Sequence, residues 1–140
     1  MSAESPSIRG SCLCGAVAYE IRPPFAFFKY CHCRRCRKNS GTAHAANLLV
    51  AVEQFAWTRG QDSVRRFELP EARAFCTSFC NQCGSTLPWR TKNGKWMLVP
   101  AGGLDDAPGA VPDQNVYWDS RAPWYVAAAE LPCFAEEGQS

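Results

Sequence analysis

Cys12-Leu13-Cys14-Gly15 and Cys80-Asn81-Gln82-Cys83-Gly84 decide the architecture of this chain. In each, a glycine directly follows the second cysteine. A backbone that wraps two sulfurs around one ion turns sharply, so that its N–H groups face them, and glycine tolerates the positive φ such turns often need. The two knuckles pair naturally into one closed four-thiolate site that ties the N-terminal strand to the middle of the chain. Structural zinc binds with ~10–16 kcal/mol, against the ~5–15 kcal/mol stability of a whole domain, so folding should depend on this site. Free thiols or a disulfide are the competing reading.

A third cluster, Tyr30-Cys31-His32-Cys33-Arg34-Arg35-Cys36-Arg37-Lys38, has three cysteines set among four basic side chains. Three thiolates fill three corners of a zinc tetrahedron and leave one position for water or substrate, as catalytic sites do. His32 lies between two of the cysteines and is expected to point the other way. Should His32, Cys76 or Cys133 supply a fourth ligand, the cluster is a second structural zinc instead. Cys76 and Cys133 otherwise read as small buried hydrophobes. Zinc held by three thiolates is electron-rich and suits a soft partner better than water. An incoming thiol would be held there as a thiolate, ready to add to a carbonyl or to leave from carbon.

The chain has 140 residues, 46% of them hydrophobic, which fits one domain over residues 1–140. Met1 to Gly10 lacks an apolar run, so neither a secretory signal nor a membrane anchor is read there. Nine cysteines without an export signal suit a reducing compartment, and a cytoplasmic location is expected. With a pI near 8.1 the chain falls short of the strongly basic balance of a dedicated nucleic-acid domain.

Val17, Tyr19 and Ile21 alternate as on a half-buried strand that Pro23-Pro24 ends. Phe25, Phe27, Phe28 and Tyr30 form a short aromatic strand leading the three-cysteine cluster onto a loop or one-turn helix that Asn39-Ser40-Gly41 closes. Ala45 to Val52 reads as a buried strand. Phe55 and Trp57 precede a Gly60-Gln61-Asp62 turn, and Val64 to Leu69 with Ala72 to Phe79 give two more strands. Asn93-Gly94 is expected to join Thr86–Arg90 to Trp96–Ala101 through a type I′ turn. Residues 102–123 read as ordered loop and 124–129 as a last strand. Helical periodicity is scarce, so the fold class is mainly β, antiparallel, with short helical turns.

These motifs closely resemble the glutathione-dependent formaldehyde-activating enzyme family, which includes centromere-protein-V-like proteins. The resemblance runs through Gly10–Val17, Cys31–Lys38, Ser40-Gly41, Phe79–Ser85, Trp124 and Leu131-Pro132-x-Phe134. It implies a β-tent fold, a structural zinc at Cys12, Cys14, Cys80 and Cys83, and a catalytic zinc at Cys31, Cys33 and Cys36. It also implies carbon–sulfur lyase chemistry on S-hydroxymethylglutathione or a related thiol adduct, with glutathione as co-substrate. Cys76 and Cys133 stand outside the family pattern.

Arg34, Arg35, Arg37 and Lys38 are candidates to meet the carboxylates of a peptide-like thiol, against the plainer reading of a solvated loop. His32, and after it His44, is a candidate proton shuttle. The five tryptophans read as core or pocket wall, and Asp105-Asp106 as a turn. The alternative to the enzyme is a non-catalytic module with two structural zincs that contacts nucleic acid or a protein. Neither reading calls for a membrane partner.

Overall fold

The computed structural model describes residues 6–138. Among these residues, eleven strands make three sheets, accompanied by one α-helix and short 3-10 turns. The first sheet joins β1 (Ile8–Ser11), β2 (Ala18–Ile21) and β5 (Phe55–Arg59). The second has the order β11-β3-β4-β10-β9, from β3 (Phe27–Cys31), β4 (Ala45–Ala51), β9 (Trp89–Arg90), β10 (Trp96–Pro100) and β11 (Gln114–Val116). The third joins β6 (Val64–Glu68), β7 (Cys76–Cys80) and β8 (Thr86–Leu87). The fold is mainly β, as expected. All pairings within these sheets are antiparallel except β11 with β3.

The core forms where the sheets meet. Tyr19 and Ile21 from the first sheet, with Val17 just before β2, pack with Leu48, Val50 and Val99 from the second and Cys80 and Leu87 from the third. The alternation read at Val17, Tyr19 and Ile21 is thus the buried face of β2 at Tyr19 and Ile21, continued by the buried Val17 just before the strand, and Glu20 is half-buried. Gly60 sits just past β5, where it approaches the Ala16 backbone so closely that an added Cβ would overlap the Ala16 carbonyl. Gly94 has a similar positive φ of 76° with open space around it. Gly60→Ala should therefore cost about 2–4 kcal/mol, strain plus collision, while Gly94→Ala costs about 1 kcal/mol of strain alone. Urea unfolding midpoints compare them directly, and equal losses would remove the close-approach explanation.

Several local expectations differ from the structure. The Asn93-Gly94 connection is not type I′: Gly94 has positive φ but Asn93 does not, and the Gly94 amide donates to the Thr91 carbonyl 2.8 Å away. It is an ordinary turn over Thr91–Gly94 that ends in a left-handed glycine. Thr86–Arg90 divides at Pro88, which has no N–H to donate, so that β8 pairs with β7 and β9 with β10. Residues 72–75 form no strand, and β7 starts at Cys76. Lys92 caps this loop by donating to the carbonyls of Leu69 and Ala72, both at 2.7 Å. Residues 124–129 are irregular, passing into a single 3-10 turn at Ala128–Glu130.

Candidate metal centres

Each knuckle is the turn of a hairpin. Cys12 to Val17 connects β1 to β2, and Asn81 to Ser85 connects β7 to β8. Both follow one hydrogen-bonding plan: the glycine amide returns to the carbonyl of the first cysteine, Gly15 to Cys12 at 3.0 Å and Gly84 to Cys80 at 2.8 Å. Both glycines are left-handed, with φ of 80° and 76°. The four sulfurs of Cys12, Cys14, Cys80 and Cys83 lie within 4.8 Å of one another. Cys12 and Cys14 are 3.6 Å apart, and Cys14 and Cys80 3.9 Å. Backbone amides of Val17 and Gln82 donate to the sulfurs of Cys12 and Cys80. Ser85 adds a hydroxyl 3.1 Å from the Cys83 sulfur, and that contact leads the influences holding the Cys83 thiol down at about 5. Donors aimed at sulfur stabilise thiolate, the form that binds metal. The donor set therefore fits a tetrahedral zinc joining the first sheet to the third.

The second group is built at the end of β3. Cys31 is its last residue, Cys33 is the N-cap of α1 (Arg34–Ser40), and Cys36 lies in the first turn of that helix. The Cys33 sulfur takes the place of the usual serine or aspartate cap, accepting from the Cys36 amide at 3.3 Å. Gly41, left-handed with φ 67°, ends the helix, and the Ser40 hydroxyl donates to the Cys36 carbonyl. The expected loop or single turn is thus a two-turn helix. The three sulfurs also lie within 4.8 Å of one another, and no other His, Cys, Asp or Glu among the described residues joins them.

Cys76 is fully buried beside Arg66, whose guanidinium is 3.0 Å from its sulfur, and Cys133 is exposed. Neither belongs to a cysteine group. The crowded thiols divide their protons unequally. Hydrogen bonds from Cys31 and then Cys36 hold Cys33 down at about 2, while Cys31 and then Cys33 push Cys36 far up. One sulfur carries charge at the expense of the others, a conflict that a bound dication removes.

His32 stands apart from the sulfurs. It is fully buried, with Nε2 2.9 Å from Asn115 Oδ1 and Nδ1 without a partner. Its ring packs among His44, Trp118 and Tyr125 at centroid distances of 4.9, 4.9 and 5.2 Å. His44 in turn stacks on Tyr30 at 4.2 Å. The β11 strand that brings Asn115 to His32 carries no pattern a sequence reading would find.

A cavity of about 360 Å³ adjoins α1, lined by Arg34, Arg37, Lys38, Gly41, Thr42 and Trp124. Three of the four candidate cations share this lining because positions 34, 37, 38 and 41 follow one helical face. Arg35 lies off that face, exposed to solvent. Arg37 Nε is buried with no hydrogen-bond partner among the described residues. Asp105 and Asp106 are spent on docking, Asp105 to the Ser11 hydroxyl at 2.7 Å and Asp106 to Arg9 at 2.9 Å.

A mainly β chain with a four-cysteine group, a three-cysteine group and a cationic cavity beside the helix that carries part of the latter fits a metal-binding protein. The family model of the glutathione-dependent formaldehyde-activating enzyme matches residues 7–120, and the chain belongs to that family. A crystal structure of a Rhodobacter sphaeroides protein, solved as a structural genomics target, is similar with a TM-score of 0.59 at 24% identity. That likeness covers 74% of this chain and 97% of the other, and concerns the fold. No curated protein matches the chain. No described helix is long and apolar enough to cross a membrane.

Proposed function

We propose that the protein is a cytoplasmic, single-domain carbon–sulfur lyase that makes or breaks a glutathione-type thiol adduct resembling S-hydroxymethylglutathione. The observation that carries this reading is the three-sulfur group of Cys31, Cys33 and Cys36, without a fourth protein ligand among the described residues, beside a cavity lined by cations. A zinc ion held there supplies a soft Lewis-acidic centre that favours substrate sulfur over water. In the forming direction the sulfur of the thiol adds to the aldehyde carbon, the C–S bond forms as the C=O π bond opens, and the thiol proton ends on the oxygen. The reverse step returns thiol and aldehyde.

Arg34, Arg37 and Lys38 hold the carboxylates of the thiol and so place its sulfur, turning a two-body encounter into a positioned one. The buried, unpartnered Nε of Arg37 is a donor available to one of those carboxylates. His32, enclosed and hydrogen-bonded to Asn115, orients the end of β3 from which Cys31 projects, and Arg35 has only a long-range electrostatic share.

Calorimetry on the zinc-loaded protein tests the reading. Glutathione should bind and release its thiol proton, so that the measured heat varies with the buffer's ionisation enthalpy. S-methylglutathione, with no proton to lose, should bind at least about tenfold more weakly and without that dependence. Equal binding of the two would reject a thiolate-binding centre.

A further inference from the structure

A second cavity, of about 390 Å³, lies where all three sheets converge. Trp57 of β5, Arg66 of β6, Ser78 of β7, and Trp89 and Arg90 of β9 line it, and no cysteine of either metal group does. The volume falls within the range of about 300–1,000 Å³ typical of small-molecule sites.

Its walls are braced. Trp57 meets Phe55 edge-on at 4.8 Å and Tyr19 at 6.1 Å, and Trp89 rests against Phe75 at 5.7 Å. Rings held by other rings form a preorganised apolar surface.

The polar lining has one sign: it includes two arginines and no acid. Arg66 is already engaged by Glu68 at 2.9 Å and by the Cys76 sulfur. Arg90, which is exposed, has no ion-pair partner among the described residues. Ser78 is only 4% exposed, yet its hydroxyl forms no hydrogen bond among the described residues while the residue lines the cavity. A hydroxyl on a cavity wall with no protein partner is free to hydrogen-bond a ligand held there.

We propose that this cavity binds a small aromatic carboxylate, its ring against Trp57 and Trp89, its carboxylate at Arg90, and its polar edge hydrogen-bonded to Ser78. The site is separate from the thiol centre, and its ligand is recognised by a flat apolar body with one negative charge, which a glutathione-type tripeptide does not offer.

Phenylacetate, phenylacetamide and acetate are the probes, titrated into the zinc-loaded protein while the indole N–H signals of Trp57 and Trp89 are followed by NMR. The two signals are assigned with Trp57→Phe and Trp89→Phe. Phenylacetate should shift both saturably, the amide should bind at least about tenfold more weakly, and acetate should shift neither. Arg90→Gln, at an exposed position that leaves the core intact, should weaken phenylacetate about tenfold, and Ser78→Ala severalfold, with thiol-adduct turnover unchanged. The proposal is overturned if phenylacetate gives no saturable shift up to about 10 mM, a concentration at which even very weak sites fill. It is equally overturned if acid and amide bind alike, or if Arg90→Gln binds phenylacetate as the native protein does.

Discussion

Cys14→Ser should yield a chain that fails to fold cooperatively, although Cys14 is exposed and serine is nearly its size. An exposed substitution of this kind ordinarily changes stability by no more than about 0.5 kcal/mol. Cys80 would be a poorer choice, because it is fully buried in the core and its loss mixes packing with ligation. At Cys14 packing contributes almost nothing, so the whole effect would report on an ion held by the four sulfurs. Losing one of four ligands should remove several kcal/mol of the ~10–16 kcal/mol available from structural zinc, most or all of a domain's ~5–15 kcal/mol. Thermal unfolding followed by circular dichroism measures this, with Cys133→Ser, exposed and outside both groups, as the unaffected control. A Cys14→Ser protein that melts like the control would mean that the knuckles do not hold the sheets together.

What the sequence disclosed, and what it hid, divides along the range of the interactions involved. The knuckles were legible because their requirement is local: two sulfurs and a turn within a few residues, with the glycine at the position whose φ the turn sets. The burial of Tyr19 and Ile21 was legible for the same reason, since strand alternation is a property of neighbours along the chain. Gln114–Val116, by contrast, is polar and short, and it becomes a strand only because β3 offers it a parallel edge with Gln114 opposite Lys29. Nothing local to those residues marks them, and with them goes the partner of His32.

The hairpin around Gly94 is legible but its turn type is not, because Asn-Gly favours two positive φ values and this loop is two residues longer than such a turn permits. The three-cysteine group reads as open from its spacing, and Cys76 and Cys133 lie outside it. Cys76 needed the structure, because its neighbour Arg66 reaches it across the pairing of β6 with β7. The cationic cavity was half legible: the four basic residues stand out in the sequence, but which face of α1 they occupy follows only once the cluster is known to be helical. The cavity among the tryptophans was hidden altogether, since its walls come from three sheets.

Cys36→Ser should leave the fold standing and abolish turnover of the thiol adduct. The substitution keeps the backbone amide that caps onto Cys33 and the carbonyl that accepts from Ser40, so α1 retains both of its end contacts. The group it disrupts is local to β3 and α1 and does not join distant hairpins, so the melting temperature should fall by only a few degrees, the equivalent of about 1 kcal/mol. On the proposed function, activity depends on all three sulfurs. Changes to groups that merely support metal ligands cost about 10–100-fold, so loss of a ligand should cost at least the upper end of that range. Zinc content should drop by one equivalent while the far-ultraviolet circular dichroism, which reports the three sheets, keeps its native form. Adduct turnover and zinc content measured on the same preparation give the answer. If Cys36→Ser unfolds as thoroughly as Cys14→Ser, the three-cysteine group is a second structural staple. If it keeps full activity, the thiol chemistry takes place elsewhere in the molecule.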